Sequence, residues 1–320
     1  MQRPRIEVVG LGKSYDQQGA RTKVHALVDV SLQAKAGTVL GVLGHNGAGK
    51  TTLINILATR TSPSSGTAKV CGWDVVRHGD NVRRHIGMTG QFVAVDDAMS
   101  GHNNLVLIAR LLGANARQAK ARAQHLIEMF DLADAAGRRA STYSGGMRRR
   151  LDLAASLIAS PEVLFLDEPT TGLDPVSRTE VWGFVEGLAA GGTTVVLTTQ
   201  YLEEADHLAN EVVVLAAGRL VAAGTPEQLK MGVGKRTATV HVADTPTMLD
   251  GGTALRLAGM HPIPHDQDST LVVPVSGQGD IATMVRTLDA VDIEILDMTV
   301  TEPTLNDVYL SLHNASWQPS

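Results

Sequence analysis

The sequence predicts an α/β fold, a largely parallel sheet covered by helices, followed by a small α+β domain. Three observations carry this. Residues 38–43, 162–166 and 193–199 form short, nearly continuous apolar runs, the pattern of strands buried on both faces. Amphipathic helical stretches alternate with such runs, as crossover connections between parallel strands require. The charge balance then shifts. Residues 231–320 carry four Lys and Arg against eleven Asp and Glu, out of 28 and 33 in the whole chain. A boundary near Lys230 follows, giving domains of residues 1–230 and 231–320.

The elements can be placed in order. Residues 6–9 and the alternating Val28, Val30 and Leu32 predict two strands. The run 38–43 predicts a central strand ending at Gly44, and a helix follows over 51–57. Residues 104–130 predict helices with two apolar stripes, one of Leu107, Leu111 and Leu112 and one of Leu126, Ile127 and Phe130. With their surroundings they form a mostly helical insert over about 92–160. Strands are expected at 162–166, 193–199 and 212–215, with a tight turn at Gly218 into 220–222. Residues 232–235 are expected to be a linker. Beyond it, strands are expected at 237–242, 271–275 and 293–299, with helices near Met284 and Asp307.

Composition excludes several classes. The chain has 320 residues, 43% hydrophobic and 19% charged, which is ordinary for a folded globular protein. A net charge of -5 argues against nucleic acid as the main partner. The single Cys71 excludes an internal disulfide framework, and it is expected to pack as a small apolar residue. No apolar run reaches the roughly 20 residues of a membrane-spanning helix. No signal-peptide core follows the N-terminal residues, so a cytosolic location is expected.

The strongest chemical signal is the run Gly44, His45, Asn46, Gly47, Ala48, Gly49, Lys50, Thr51, followed by Thr52. It fits the pattern of a phosphate-binding loop, between a strand and a helix as that mechanism requires. Glycines let successive backbone N–H groups turn toward one anion, and the helix N-terminus adds its dipole. Lys50 would neutralise β- and γ-phosphate charge, and the Thr51 hydroxyl would ligate Mg²⁺. Asp167 and Glu168 end the strand at 162–166, where α/β sheets collect ligands. Neighbouring strand residues point apart, so one carboxylate can serve Mg²⁺ and the other the attacking water.

Four further segments follow a fixed order: Gln91, the run 143–147, the run 171–175, and the run 198–200. With the loop and carboxylates they resemble the nucleotide-binding subunit of ATP-binding cassette (ABC) transporters over roughly residues 5–230. The acidic tail, with the run 303–310, resembles the extension of daunorubicin/doxorubicin-resistance ATPases. So do the runs 143–150 and 200–206.

That resemblance implies a P-loop ATPase core, ATP and Mg²⁺ as cofactors, and further site residues. Ser144, Gly145 and Gly146 would cover the γ-phosphate held by Lys50 of a second subunit, giving a head-to-tail dimer with two composite sites. A helix N-terminus with two glycines and a hydroxyl suits such an anion site. Tyr15 would stack on adenine, or else simply pack at a strand end. Gln91 would touch Mg²⁺ or water and sense the membrane subunit, or be an exposed loop residue. Asp174 would brace the opposing site, or belong to an Asp-Pro turn. Gln200 stands where most of the family has His near the γ-phosphate. A neutral amide donates a hydrogen bond but is no general base, which leaves Glu168 to orient or activate water. Arg148, Arg149 and Arg150 are expected to form a solvated helix face or contact an acidic partner surface.

The implied function is ATP-driven export of drugs or other amphiphiles through a separate integral membrane permease, at the cytoplasmic face of the membrane. Lipid or glycolipid export is the nearest alternative. Import is less in keeping with the drug-exporter-like segments. DNA-repair ATPases carry long coiled coils that do not fit between Thr52 and Tyr143, and translation-type members usually carry two cassettes.

Overall fold

The computed structural model describes residues 4–16, 23–89, 95–233, 236–265 and 269–309. The chain divides into two compact units between Pro226 and Glu227.

The first unit starts with β1 (Ile6–Asp16) and β2 (Lys23–Ala34), both longer than their apolar patterns suggest. β3 (Val39–Leu43) and α1 (Lys50–Leu57) flank the glycine-rich loop. Next come β4 (Ser65–Val70), β5 (Trp73–Asp74), α2 (Gly79–His85) and β6 (Ile86–Thr89). The helical stretch comprises α3 (Gly101–Leu111), α4 (Ala116–Met129) and α5 (Gly145–Ser156). The core then resumes with β7 (Val163–Asp167), α6 (Pro175–Ala190), β8 (Thr194–Thr199), α7 (Leu202–Leu208), β9 (Glu211–Ala216) and β10 (Arg219–Gly224).

These strands form two sheets. One has the order β2-β1-β4-β5 and is antiparallel throughout. The other has the order β10-β9-β3-β8-β7-β6 and is parallel except at its β10 edge. β3 and β8 are buried at every position, as strands covered on both faces must be. The parallel register sets Leu43 beside Thr199 and Asp167 beside Thr198. Three strand ends therefore open onto one edge. Two hydrophobic clusters back this sheet, one including α1 and the β1–β2 pair, the other including α3 to α6.

Caps define the helical elements. Asn115 and Gln118 make a reciprocal capping box at the start of α4, and Ser100 caps α3. The face of α3 departs from expectation. Leu107, Leu111 and Leu112 are 42%, 77% and 62% exposed, whereas Leu105 and Ala109 are buried. Asn104 lies on the buried face instead: its amide donates to the Asp96 and Ser100 carbonyls and its carbonyl accepts from Asp96 N. The other expected stripe, Leu126, Ile127 and Phe130, is fully buried. Cys71 is half-buried against the β1 cluster, and burial pushes its thiol up to about 11.

The second unit begins within α8 (Pro226–Val233), so Gly232 and Val233 end a helix rather than opening a linker. Gly234 and Lys235 lie outside the described residues. The order is then β11 (Arg236–His241), α9 (Thr245–Leu257), β12 (Ile263–His265), β13 (Thr270–Val275), α10 (Gln278–Asp289) and β14 (Asp297–Thr301). The sheet order β12-β13-β11-β14 is antiparallel throughout, the ferredoxin-like β-α-β-β-α-β arrangement. Residues 305–309 add a short helical turn. The expected strand at 293–299 starts later. Ile293 and Ile295 pack on the core from the connection after α10, and the ladder begins only at Asp297.

Candidate functional site

The loop between β3 and α1 closes around its own lysine. Lys50 is 5% exposed, and its ammonium donates to the Gly44 carbonyl at 2.6 Å and the His45 carbonyl at 3.3 Å. Burial lowers its pKa, while the carboxylates of Glu168 and Asp167 act against that. Ala48 is buried, whereas His45, Asn46 and Gly47 are exposed at the loop's outer turn. Gly49 caps α1 with φ +108°, and no side chain caps the helix. A Cβ at Gly49 would lie 2.6 Å from the Ala26 carbonyl, so the position tolerates only glycine. The N-terminus of α1 is thus built from bare backbone N–H groups, the requirement for holding an anion.

Two carboxylates face this loop from β7. The Thr51 hydroxyl lies 3.4 Å from Asp167 Oδ2, and Asp167 Oδ1 accepts a hydrogen bond from the Thr198 hydroxyl. Glu168 Oε1 lies 3.9 Å from the Lys50 ammonium, and the Thr171 hydroxyl donates to Oε2 at 3.3 Å. Glu168 has φ +48°, unusual outside glycine and costing about 1–2 kcal/mol. Its amide donates to the Thr198 carbonyl at 3.0 Å and the Thr198 hydroxyl at 3.2 Å, which secures the conformation. Thr198 therefore holds both the Asp167 carboxylate and the Glu168 backbone amide. In the sequence Thr198 is only part of the run 198–200, and no local spacing ties it to residues 167 and 168.

Gln200 follows β8 and is exposed, one residue beyond the pairing of Thr199 with Leu43. It lies at the same sheet edge as Gly44. Tyr15 ends β1 opposite Val24, 42% exposed, with the Lys13 ammonium 4.9 Å from its ring centre. Gln91 lies outside the described residues.

Ser144 is the N-cap of α5, accepting from Met147 N at 3.2 Å. A Cβ at Gly146 would come within 2.5 Å of the Ser177 hydroxyl, so the start of α5 is pressed against α6. Asp174 caps α6 by accepting from Ser177 N at 3.0 Å and Ser177 Oγ at 2.8 Å, and Pro175 opens the helix. These bonds hold the Asp174 carboxyl below its usual pKa.

The three arginines overturn one expectation. Arg148 pairs with Asp97 and reaches the Val95 carbonyl, Arg150 reaches Asp131 and Glu180, and Arg149 turns inward. They bind parts of the unit together rather than forming a solvated face. A basic triplet on a helix carries no record of which acidic or carbonyl groups the fold brings to it.

Thr51 and Asp167 offer hard oxygen donors within 3.4 Å of each other, a set that suits Mg²⁺ completed by phosphate and water. Among the described residues there is no group of three or more His, Cys, Asp or Glu arranged for a metal.

Residues 27–171 match the model of the ABC transporter family. The daunorubicin resistance ATP-binding protein DrrA3 of Streptomyces coeruleorubidus is 48% identical, covering 96% of this chain and 95% of its own. The daunorubicin/doxorubicin resistance ATP-binding protein DrrA of Streptomyces peucetius is 43% identical over 96% of this chain and 92% of its own. Nod factor export ATP-binding protein I of Ralstonia nicotianae is 40% identical, over 71% and 68%. Among solved structures, a dimeric post-hydrolysis state of the ATP-binding cassette MJ0796 bound to ADP and Pi superposes with a TM-score of 0.62. It is 22% identical, covering 69% of this chain and 98% of the other, and it shares the fold.

Proposed function

The chain belongs to the ABC transporter family as an ATP-hydrolysing subunit, and on that premise we propose that it powers efflux of drugs or other amphiphiles through a separate membrane permease. The observation that carries the hydrolytic part is the convergence of Lys50, Thr51, Asp167 and Glu168 at one sheet edge. The matches to drug-resistance ATP-binding proteins, which run through the second unit as well, support drugs as the cargo. The Nod factor export relative covers 71% of this chain, which makes that cargo class the weaker reading.

The loop N–H groups from Gly44 to Thr52, with the α1 dipole, hold the β- and γ-phosphates. Lys50 exchanges its bonds to loop carbonyls for phosphate oxygens. Thr51 and Asp167 would hold Mg²⁺, with Gln91 as a further contact, and the ion would neutralise charge developing on the phosphates. Glu168 orients the attacking water and accepts its proton, while the Gln200 amide donates to the γ-phosphate. Tyr15 stacks on adenine. Ser144, Gly145 and Gly146 of a second copy close over the γ-phosphate, and Asp174 braces that contact. The chain thus works as a head-to-tail dimer at the cytoplasmic face of the membrane, held there by the permease. Among the described residues, no helix is long and apolar enough to cross a membrane. Residues 1–230 form the ATP-binding domain and 231–320 an accessory domain that regulates or stabilises the dimer.

Two measurements test this. Glu168→Gln should keep ATP binding and lower turnover in the permease complex by roughly 10²–10⁴-fold. Near-normal turnover would remove Glu168 from its role. Membrane vesicles carrying the complex should accumulate daunorubicin with ATP, and failure to do so while hydrolysing ATP would sink the drug reading.

A further inference from the structure

One side chain bridges the helix capped by Ser144 and the peptide that carries Glu168. Arg149 lies five residues beyond Ser144 in α5 and is partly buried. Its Nε donates to the Pro169 carbonyl at 2.5 Å and its Nη2 reaches the Asp167 carbonyl at 3.4 Å. These two carbonyls belong to the residues before and after Glu168. Glu168 itself holds φ +48°, a conformation that persists only where the surroundings over-determine it. From the β8 side, Thr198 fixes the Glu168 amide. From the α5 side, Arg149 fixes its neighbours. A planar guanidinium presents several donors in a rigid fork and can serve both oxygens together, whereas an ammonium is a single point charge. Its neighbours on the helix reach elsewhere, Arg148 to Asp97 and Arg150 to Asp131 and Glu180, so the clamp belongs to Arg149 alone of the three. Burial disfavours the Arg149 charge, and the carboxylates of Asp152, Glu204 and Asp167 act against that.

We propose that Arg149 is a positioning residue for hydrolysis, clamping the carbonyls of Asp167 and Pro169 so that the Glu168 carboxylate stays on the Lys50 side of the site. It also makes the helix start that would cover a second subunit's phosphate mechanically continuous with this chain's own water-orienting group. The inference rests on the assignment of Glu168 to the attacking water.

The test uses the full chain in its permease complex, measuring kcat, KM for ATP and thermal melting. Arg149→Met should lower kcat about ten- to a hundredfold, with KM and melting temperature nearly unchanged, because a misplaced group loses rate rather than substrate affinity. Arg149→Lys should recover only part of the loss, and added guanidinium ion should raise the kcat of Arg149→Ala. In a Glu168→Gln background, Arg149→Met should cost nothing more, since the clamped carboxylate is already gone. A full additional loss in the double variant would overturn the proposal, as would a fall in melting temperature that accounts for the lost activity of both Arg149→Met and Arg149→Lys. Wild-type kcat for Arg149→Met beside an inactive Glu168→Gln would also overturn it, leaving the role of Glu168 intact. An active Glu168→Gln would overturn both.

Discussion

The two glycine-rich helix starts of the first unit, at α1 and α5, look alike in sequence and are finished differently. At α1 the cap is Gly49 and no side chain occupies the terminal N–H groups. Lys50, Thr51, Asp167 and Glu168 gather beside it from the same chain. At α5 the cap is Ser144, whose hydroxyl already accepts from Met147 N, and the nearest helix start is α6 with Asp174 and Ser177. The first terminus has a cation and two carboxylates beside it. The second presents a hydroxyl and exposed glycine, with its arginines turned to Asp97, Asp131 and the Asp167 peptide. Under the proposed function this difference is a division of labour: the α1 terminus would react, and the α5 terminus would complete a site in a second copy.

Lys50→Ala should show the largest effect. Removing the buried ammonium should lower turnover by about 10²–10³-fold and weaken ATP binding as well. Binding by equilibrium fluorescence and turnover by phosphate release check this, and an unaffected ATP affinity would contradict the finished state of the α1 terminus.

Ser144→Ala should separate the two sites. Turnover should fall by roughly a hundredfold. ATP binding to the isolated chain should hold, and the lost cap should cost about 1 kcal/mol in melting. If ATP affinity of the isolated chain collapses as for Lys50→Ala, both termini serve one nucleotide in one chain and the dimer reading breaks.

Gln200 sharpens the chemistry at the first site. Gln200→Ala deletes an amide donor at the sheet edge, and turnover should fall more than for Gln200→His. The imidazole brings an unperturbed pKa of about 6.5, so Gln200→His should acquire a pH limb in that region that wild type lacks. Equal turnover of Gln200→Ala and wild type across the pH range would show that the contact does not matter.

The smallest effect concerns acid stability beside the second site. Hydrogen bonds from Ser177 hold the Asp174 carboxyl below its usual pKa. The folded state therefore prefers the ionised form, and this contribution is complete above the unfolded value of about 3.9 and lost as pH falls through the folded one. Asp174→Asn still caps, and should lack that acid-dependent step. Melting curves between neutral and acidic pH compare them, and parallel curves would detach the Asp174 carboxylate from the stability of α6.

The two termini were unequally legible beforehand. The spacing from Gly44 to Thr51, between an apolar run and a helical pattern, forces the loop geometry locally. Ser144 at α5 and Asp174 at α6 are residue types that cap wherever a helix begins behind them. Hydrophobic pattern misled at α3, where three leucines face outward while Asn104 is buried and hydrogen-bonded inside. It also misled at α5, where adjacent charges suggested solvent. In the second unit, α9 carries no clear helical pattern: Gly251 and Gly252 interrupt its apolar stripe, yet both are buried.

By itself, the sequence determined the phosphate loop, the strands that lead into Gly44 and Asp167, and the Ser144 cap. These depend on backbone conformations chosen within a few residues, which residue type controls directly. The tertiary structure alone decided which distant groups meet. Thr51 reaches Asp167 across 116 residues, Thr198 serves both Asp167 and Glu168, and Arg149 closes on the carbonyls flanking Glu168. Such meetings depend on the register of parallel strands and the seat of α5. Both are set by burial summed over the whole core, which no local spacing encodes.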